Sequence, residues 1–319
     1  MFLARIFRAP RKPKPASHVG RVMKPSILIV SPVRNEAAHI EKVVRAVARQ
    51  ELLPARWIVS DDRSQDDTLA ILERLAPTVP FLTVLAADER RDDAATRDRL
   101  ARAAAPRNFN RGLAAADWRQ FTHIMKLDGD IELAPEYLRE LMRRFAADPQ
   151  LGLAGGVLDE PTPGGGVRRL QIARSHVHGA LKCYSRECFE QIGGVQERLG
   201  WDTIDEVYAR MRGFTTRSFV DLVSIHHRPL GSADGTLRGH ARHGVCAYIA
   251  HYPVEFVAAR ALRVGRRRPV VISGLALMYG FVRAAMQRVE RVPDPAYRRF
   301  ARRELRLRMV RALRPSIPR

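Results

Sequence analysis

The sequence predicts an α/β protein: a mixed, mainly parallel sheet flanked by helices, followed by a basic, mostly helical C-terminal extension. Three observations predict it. Short apolar runs rich in β-branched residues alternate with helical patterns over residues 26–147, the mark of a parallel sheet covered on both faces. After about residue 150 the alternation gives way to glycine-rich and then helical sequence. Charge is also segregated. Of a net +21 over 319 residues, residues 1–25 hold seven basic side chains and no acid, and residues 260–319 carry a net +14. Residues 26–259 balance at 31 of each sign.

Residues 12–24, with basic residues beside prolines, read as a linker, which makes residues 1–25 a basic tether. Residues 26–31 (SILIVS) predict a buried strand. Residues 37–50 place Ile40, Val43, Val44 and Val47 at helical spacing. Residues 57–60 read as a second strand, 66–75 as a second helix and 81–85 as a third strand. Residues 90–105 are charged and Ala-rich, without a defined local pattern. Residues 121–127 (FTHIMKL) form a fourth strand and residues 134–147 the helix after it. Gly155, Gly156 and residues 161–166 (PTPGGG) read as a flexible loop. Residues 185–192 and 203–211 look like short helices, and 217–227 like one or two strands. From Gly239 the reading is helical and increasingly basic, with Phe300, Leu305 and Val310 as a broken apolar stripe.

Several classes are excluded. Cys183, Cys188 and Cys246 are odd in number and lack CxxC spacing, against a disulfide framework or structural zinc and in keeping with a reducing compartment. Arg5 and Arg8 break the apolar start, so no secretory leader is expected. Residues 269–282 are uncharged but short of the ~20 residues needed to span a bilayer, and read as a buried or interfacial helix. Neither GxGxxG nor GxxxxGK[ST] occurs, against a dinucleotide fold or a P-loop.

In an open α/β sheet, ligands bind beyond the carboxyl ends of the strands. Three such ends are polar: Pro32 to Glu36, Asp61 to Ser64, and Asp128-Gly129-Asp130. Two carboxylates around a glycine can share a divalent ion, Mn²⁺ or Mg²⁺, which would bridge the phosphates of a nucleotide. Asp66 or Asp67 can cap the second helix, which leaves Asp62 to accept hydrogen bonds from a base or ribose. His226 or His227 could add an imidazole ligand, and strand alternation turns only one of them inward. Arg228 could clamp a pyrophosphate.

These segments resemble the family 2 glycosyltransferases with the GT-A fold. SILIVSPVRNE, IVSDDRSQDDT, NRGL (110–113) and KLDGD are similar to that family's nucleotide half. GALKCYSRECFEQIGG (179–194) and GWDTIDEVYARMRG (200–213) are similar to its acceptor half. The resemblance implies a GT-A domain over residues 26–235, divided at 130/131 into nucleotide and acceptor halves, before a helical region at 236–319. It implies inverting transfer from a UDP-, GDP- or dTDP-sugar with a divalent metal. Pro32 and Glu36 would line the base pocket, Asp62 read the base, and Asn110 lie near the ribose and phosphates. Asp128 would hold the ribose or a metal-bound water, and Asp130 the metal. The family commonly has Glu-Asp where this chain has Trp201-Asp202, with Asp205-Glu206 following. A glycine eleven positions after the base favours Asp202, since Gly213 stands there, with Asp205 as the alternative. As plain sequence, Asp202 reads as a helix N-cap and Asp205 as a first-turn acid.

The processive synthases' Gln-x-x-Arg-Trp motif and multiple membrane spans do not occur, which favours addition of single sugars. The basic ends imply an anionic membrane surface, a cytoplasmic, peripheral location on the inner face of the cell membrane, and a saccharide or lipid-linked acceptor. Two rivals differ in class. A nucleotidyltransferase of similar fold usually has a glycine-rich loop after the first strand, which SPVRNEA lacks. A nucleic-acid binder working through the arginine-rich tail would leave the acidic strand ends unused, so no nucleic acid is expected.

Overall fold

The run ILIV forms the start of β1 (Ile27–Val33), which is buried along almost its whole length, as a strand covered on both faces must be. A computed structural model describes residues 24–87, 103–162, 164–228, 235–266 and 270–313, without the side chains of 236, 312 and 313. Nearly all of the expected tether, most of the stretch 90–105 and Pro163 of the expected loop lie outside the described residues.

In α1 (Ile40–Ala48) the four apolar residues at helical spacing are the buried ones. β2 (Arg56–Asp61), α2 (Thr68–Leu75) and β3 (Leu82–Leu85) follow. Then come α3 (Ala104–Ala114), β4 (His123–Leu127), β5 (Ile131–Leu133) and α4 (Tyr137–Ala147). β1 pairs in parallel with both β2 and β4, and β2 with β3. Trp57 of β2 is fully buried and satisfies its indole N–H on Ser31 Oγ at 2.9 Å. Side chains of this kind each contribute about 1.5–3 kcal/mol by leaving water.

The second half completes one nine-stranded sheet. It adds β6 (Leu151–Pro161), β7 (Val167–Arg169), β8 (Leu181–Ser185), α5 (Arg186–Ile192), α6 (Trp201–Met211) and β9 (Thr215–His226). The strand order is β3-β2-β1-β4-β8-β6-β9-β5, with β7 on β6. β8 runs antiparallel to β4 and β6, whereas β6 and β9 are parallel.

Three sequence expectations are corrected. Gly155 and Gly156 lie within buried β6, not in a loop. A Cβ on Gly155 would fall 2.4 Å from the Leu181 carbonyl, and one on Gly156 2.1 Å from that of Leu222. Glycine here permits strands to approach at a register shift. α3 was not expected. Its Gly112 lets it lie on the sheet, where a Cβ would meet Val30 Cγ1 at 2.7 Å. The N-cap of α6 is Gly200, at φ 81°, and not Asp202, which falls in the first turn.

The C-terminal region is helical: α7 (Thr236–Ile249), α8 (Val254–Val264), α9 (Ile272–Met286) and α10 (Pro295–Leu313). One apolar cluster joins Ile204 and Val207 of α6 to Ile249 of α7 and to Tyr297 and Ala301 of α10. The buried stripe of α10 is thus Tyr297, Ala301 and Leu305, while Val310 is half exposed. α7 and α9 touch through glycines: a Cβ on Gly280 would lie 1.8 Å from the Ala241 carbonyl, and one on Gly244 2.0 Å from that of Leu277. Gly239, on the same helix as Gly244, has nothing within 4 Å. Gly280→Val should therefore cost roughly 3 kcal/mol or more by forcing α7 and α9 apart. Gly239→Ala should gain about 0.5–1 kcal/mol from helix propensity. Urea denaturation separates the two; equal midpoints would refute the close crossing.

Candidate active site

The first two strand ends are interlocked by backbone-directed side chains. The Asp62 N–H donates to the Val33 carbonyl at 2.8 Å, extending the ladder in which Pro32 faces Ser60. Asn35 adopts φ 55°, a conformation asparagine tolerates, and its Oδ1 accepts from the Gln65 N–H at 2.8 Å. Asp61 is buried and takes the Ser64 N–H at 3.0 Å and the Ser64 hydroxyl. Asp66 accepts from the N–H groups of Thr68 and Ala37, each at 3.1 Å. The two neighbours of Asp62 are thereby committed to shaping the loop, and half-buried Asp62 stands at its mouth.

Glu36, Asp128 and Asp130 converge from β1 and β4. A Cβ on Gly129 would lie 2.8 Å from Val33 Cγ1 and 3.1 Å from Glu36 Cγ, so glycine alone lets the β4 end close on Glu36. Burial, with the Asp130 charge beside it, pushes the Glu36 carboxyl up to about 8 despite opposition from Arg228. Arg228 Nη2 donates to Glu36 Oε2 at 2.6 Å and to the Asn35 carbonyl at 3.0 Å. Asp128 pairs with Lys126, whose ammonium also donates to the Gly179 carbonyl at 3.0 Å.

The two histidines diverge. His226 sits with Nε2 3.5 Å from Asp130 Oδ2 and Nδ1 3.4 Å from Glu160 Oε1, and Nδ1 is buried without a hydrogen bond. Burial would raise the Asp130 pKa, but His226 and the Arg228 charge take it below its ordinary value. His227 instead bonds Glu132 at 2.8 Å and stacks on His39, ring centroids 5.3 Å apart. Among the described residues, no three His, Cys, Asp or Glu are grouped to hold an ion by themselves. Asp130 with His226 could supply part of a shell, to be completed by oxygens from a bound phosphate.

Asn110 faces elsewhere. Its amide donates to the Val195 carbonyl at 2.9 Å and to Glu197 at 3.1 Å, and it lines a surface cavity of about 580 Å³ with Leu113, Trp118 and Arg119. The residues of α3 that reach the sheet edge are Asn108 and Arg111. Asn108 Nδ2 donates to the Ser60 carbonyl at 2.6 Å, and Arg111 Nη2 donates to Ser60 Oγ at 2.8 Å and to the Asp61 carbonyl.

Asp202 and Asp205 have different surroundings. Asp205 is buried, with Lys182 Nζ at 3.1 Å and the Tyr184 hydroxyl donating to it at 2.5 Å. Lys182 is itself unexposed. Burial opposes its charge, but Asp205, Glu206 and Asp202 raise its pKa above the ordinary value. The Asp202 carboxylate is half-buried, and no hydrogen bond to it is found among the described residues. Its Cβ lies 3.1 Å from where a Gly179 Cβ would be, and its charge reaches His178 and His243. Trp201 lies under both lysines, each Nζ 5.4 Å from its ring centroid.

Lys126, Lys182 and Tyr184 were missed from sequence. A lone lysine inside an apolar strand, as in HIMKL and LKCYS, is the signal that could have found the first two. Asp205→Ala should cost about 3–5 kcal/mol by removing the nearer of the two carboxylates that compensate buried Lys182, and Asp202→Asn less than about 1 kcal/mol. Chemical denaturation compares them; the reverse order would contradict this assignment of structural and free carboxylates.

The sequence pattern described as glycosyl transferase family 2 matches residues 28–194. An uncharacterized protein of Mycobacterium tuberculosis is 34% identical over 133 residues, 41% of this chain and 35% of that protein. This match thus spans about a third of the relative's length. The mannosyltransferase PcManGT from Pyrobaculum calidifontis, solved with GDP-Man and Mn²⁺, aligns with TM-score 0.53 and 20% identity over 92% of this chain and 89% of that one. S. aureus TarS 1–349 with UDP-GlcNAc aligns with TM-score 0.51 and 16% identity over 70% and 65%. At these identities the likeness is one of fold: a mainly parallel sheet flanked by helices in the GT-A manner. Because the family pattern covers more than half of the sequence and spans the Asp62, Asp128 and Asp130 strand ends, the chain belongs to glycosyl transferase family 2.

Proposed function

We propose that the chain transfers a sugar from a nucleotide-diphosphate sugar to an acceptor hydroxyl with inversion at the anomeric carbon. The observation that carries this reading is the convergence at one sheet edge of Glu36, Asp128, Asp130 and His226, joined through Lys126 and Gly179 to the unpaired Asp202. The nucleotide-sugar complexes of the fold neighbours support a donor of this class.

Pro32, Glu36 and Asp62 line the base and ribose end of the donor, and Asp128 its ribose or phosphate side. Asn110 has no part in this proposal, because its amide is spent on Val195 and Glu197. Asp130 and His226 would hold a divalent Mn²⁺ or Mg²⁺ together with diphosphate oxygens, whereas His227 is engaged by Glu132. Such an ion, when bound, neutralises charge gathering on the departing diphosphate. Asp202 accepts the proton of the acceptor hydroxyl as its oxygen attacks the anomeric carbon opposite the leaving group. That no hydrogen bond to its carboxylate is found among the described residues supports that role, and the burial of Asp205 against Lys182 supports a positioning role for Asp205. The acceptor is a saccharide or a lipid-linked saccharide. The nearness of α7 to the Asp202 turn, where a Cβ on Gly200 would lie 3.3 Å from that of Cys246, supports an acceptor bordered by the C-terminal helices.

The test is release of nucleoside diphosphate from a panel of UDP-, GDP- and dTDP-sugars with Mn²⁺ or Mg²⁺. One donor should be turned over, and Asp202→Asn should lower kcat roughly 10²–10⁴-fold with nucleotide affinity kept. Full activity in Asp202→Asn would remove the base assignment, and turnover of no donor would remove the reaction.

A further inference from the structure

The helix α9 is apolar on both sides. Its inner face, Ser273, Leu277, Gly280 and Ala284, is buried against the neighbouring helices, with Gly274 set against the Ala261 carbonyl of α8. Its outer face presents Leu275, Tyr279, Val282 and Met286 in positions one helical stripe apart, 62%, 60%, 47% and 79% exposed. Leu262 of α8 and Val271 are also exposed, at 72% and 59%, the latter tied to the end of α8 by its N–H to the Gly265 carbonyl at 2.7 Å. A helix apolar all round normally belongs inside a protein or in a membrane, and a contiguous apolar surface of this kind marks an interaction site.

We propose that this outer face of α8 and α9 inserts into the interfacial layer of a bilayer that carries anionic headgroups, with α9 lying in its plane. Two observations select this occupant. α9 has 15 residues, about 22 Å of rise against a hydrocarbon core of about 30 Å, and no described helix is long and apolar enough to cross a membrane. An in-plane helix is what remains for such a segment in lipid. The patch is also bordered by exposed Arg263, Arg266, Arg283 and Arg288, within a C-terminal region of net +14. That charge complements lipid phosphates, whereas a second copy of the chain would bring like charge against like. Tyr279 would sit at headgroup depth, where an apolar ring and a polar tip are both satisfied. The inference is independent of the sugar chemistry, and it adds an apolar contact to the purely electrostatic attachment expected from the basic ends.

Flotation of the full chain with phosphatidylcholine vesicles, with and without phosphatidylglycerol, tests it. The chain should float with the anionic vesicles, and Leu275→Glu combined with Tyr279→Glu should weaken binding roughly tenfold or more at an unchanged melting temperature. Tyr279→Trp should show blue-shifted indole emission on the same vesicles. Wild-type binding by the double variant would leave arginine attraction alone and overturn the insertion. A vesicle-indifferent chain that dimerises through this face, with the double variant monomeric, would overturn it in favour of a second copy.

Discussion

Lys126 of β4 and Lys182 of β8 face one another across an antiparallel pair near the middle of the sheet, and both are essentially unexposed. A buried ammonium persists only when it is paired, so each lysine dictates where carboxylates must be. Lys126 takes Asp128 and the Gly179 carbonyl, and Lys182 takes Asp205, Glu206 and the Asp202 carbonyl. Trp201 lies beside both cations. The pair thus joins the end of β4 to the first turn of α6, and the spacing between Asp128 and Asp202 follows from it. Loss of either lysine's partner would damage the site and the fold together.

The same logic carries outward to the C-terminal helices. Glu206, reached by Lys182 from one side, accepts from the Val177 N–H at 2.7 Å and lies 3.6 Å from Arg210. Arg210 in turn pairs with Glu304 of α10 at 2.6 Å. A charge relay therefore runs from the sheet through α6 to the last helix, parallel to the apolar cluster of Ile204, Ile249 and Tyr297. The helical layer is fastened to the element that bears Asp202. The end of β4, the first turn of α6 and the C-terminal helices are therefore linked through one set of contacts.

Much of this was legible in the sequence where a single periodicity governs. The run SILIVS and the spacing of Ile40, Val43, Val44 and Val47 report burial directly, because one face or both must be apolar. Asp128-Gly129-Asp130 was legible from its place after an apolar strand. What escaped depends on partners distant in sequence. Gly155 and Gly156 read as loop because the strands pressing on them come from Leu181 and Leu222. That Asn108, and not Asn110, reaches the sheet was not legible, since it depends on the rotation of α3. Lys182, some twenty residues upstream, gives Asp202 and Asp205 their different surroundings, and spacing within one helix carries no information about that. His226 and His227 were separable in principle by alternation, but only the pairing of β9 with β5 decides which one meets Asp130.

The proposed donor site rests on the acidic strand ends binding a nucleoside diphosphate through a divalent ion held in part by Asp130. The most direct measurement is the melting temperature with UDP, GDP, dTDP or CMP, each with Mn²⁺, Mg²⁺ or EDTA. A ligand at a hundredfold its Kd stabilises the folded state by about 2.7 kcal/mol. One diphosphate should raise the melting temperature only when the ion is present, and Asp130→Ala should abolish the shift. A shift that survives both EDTA and Asp130→Ala, or no shift with any nucleotide, would contradict it.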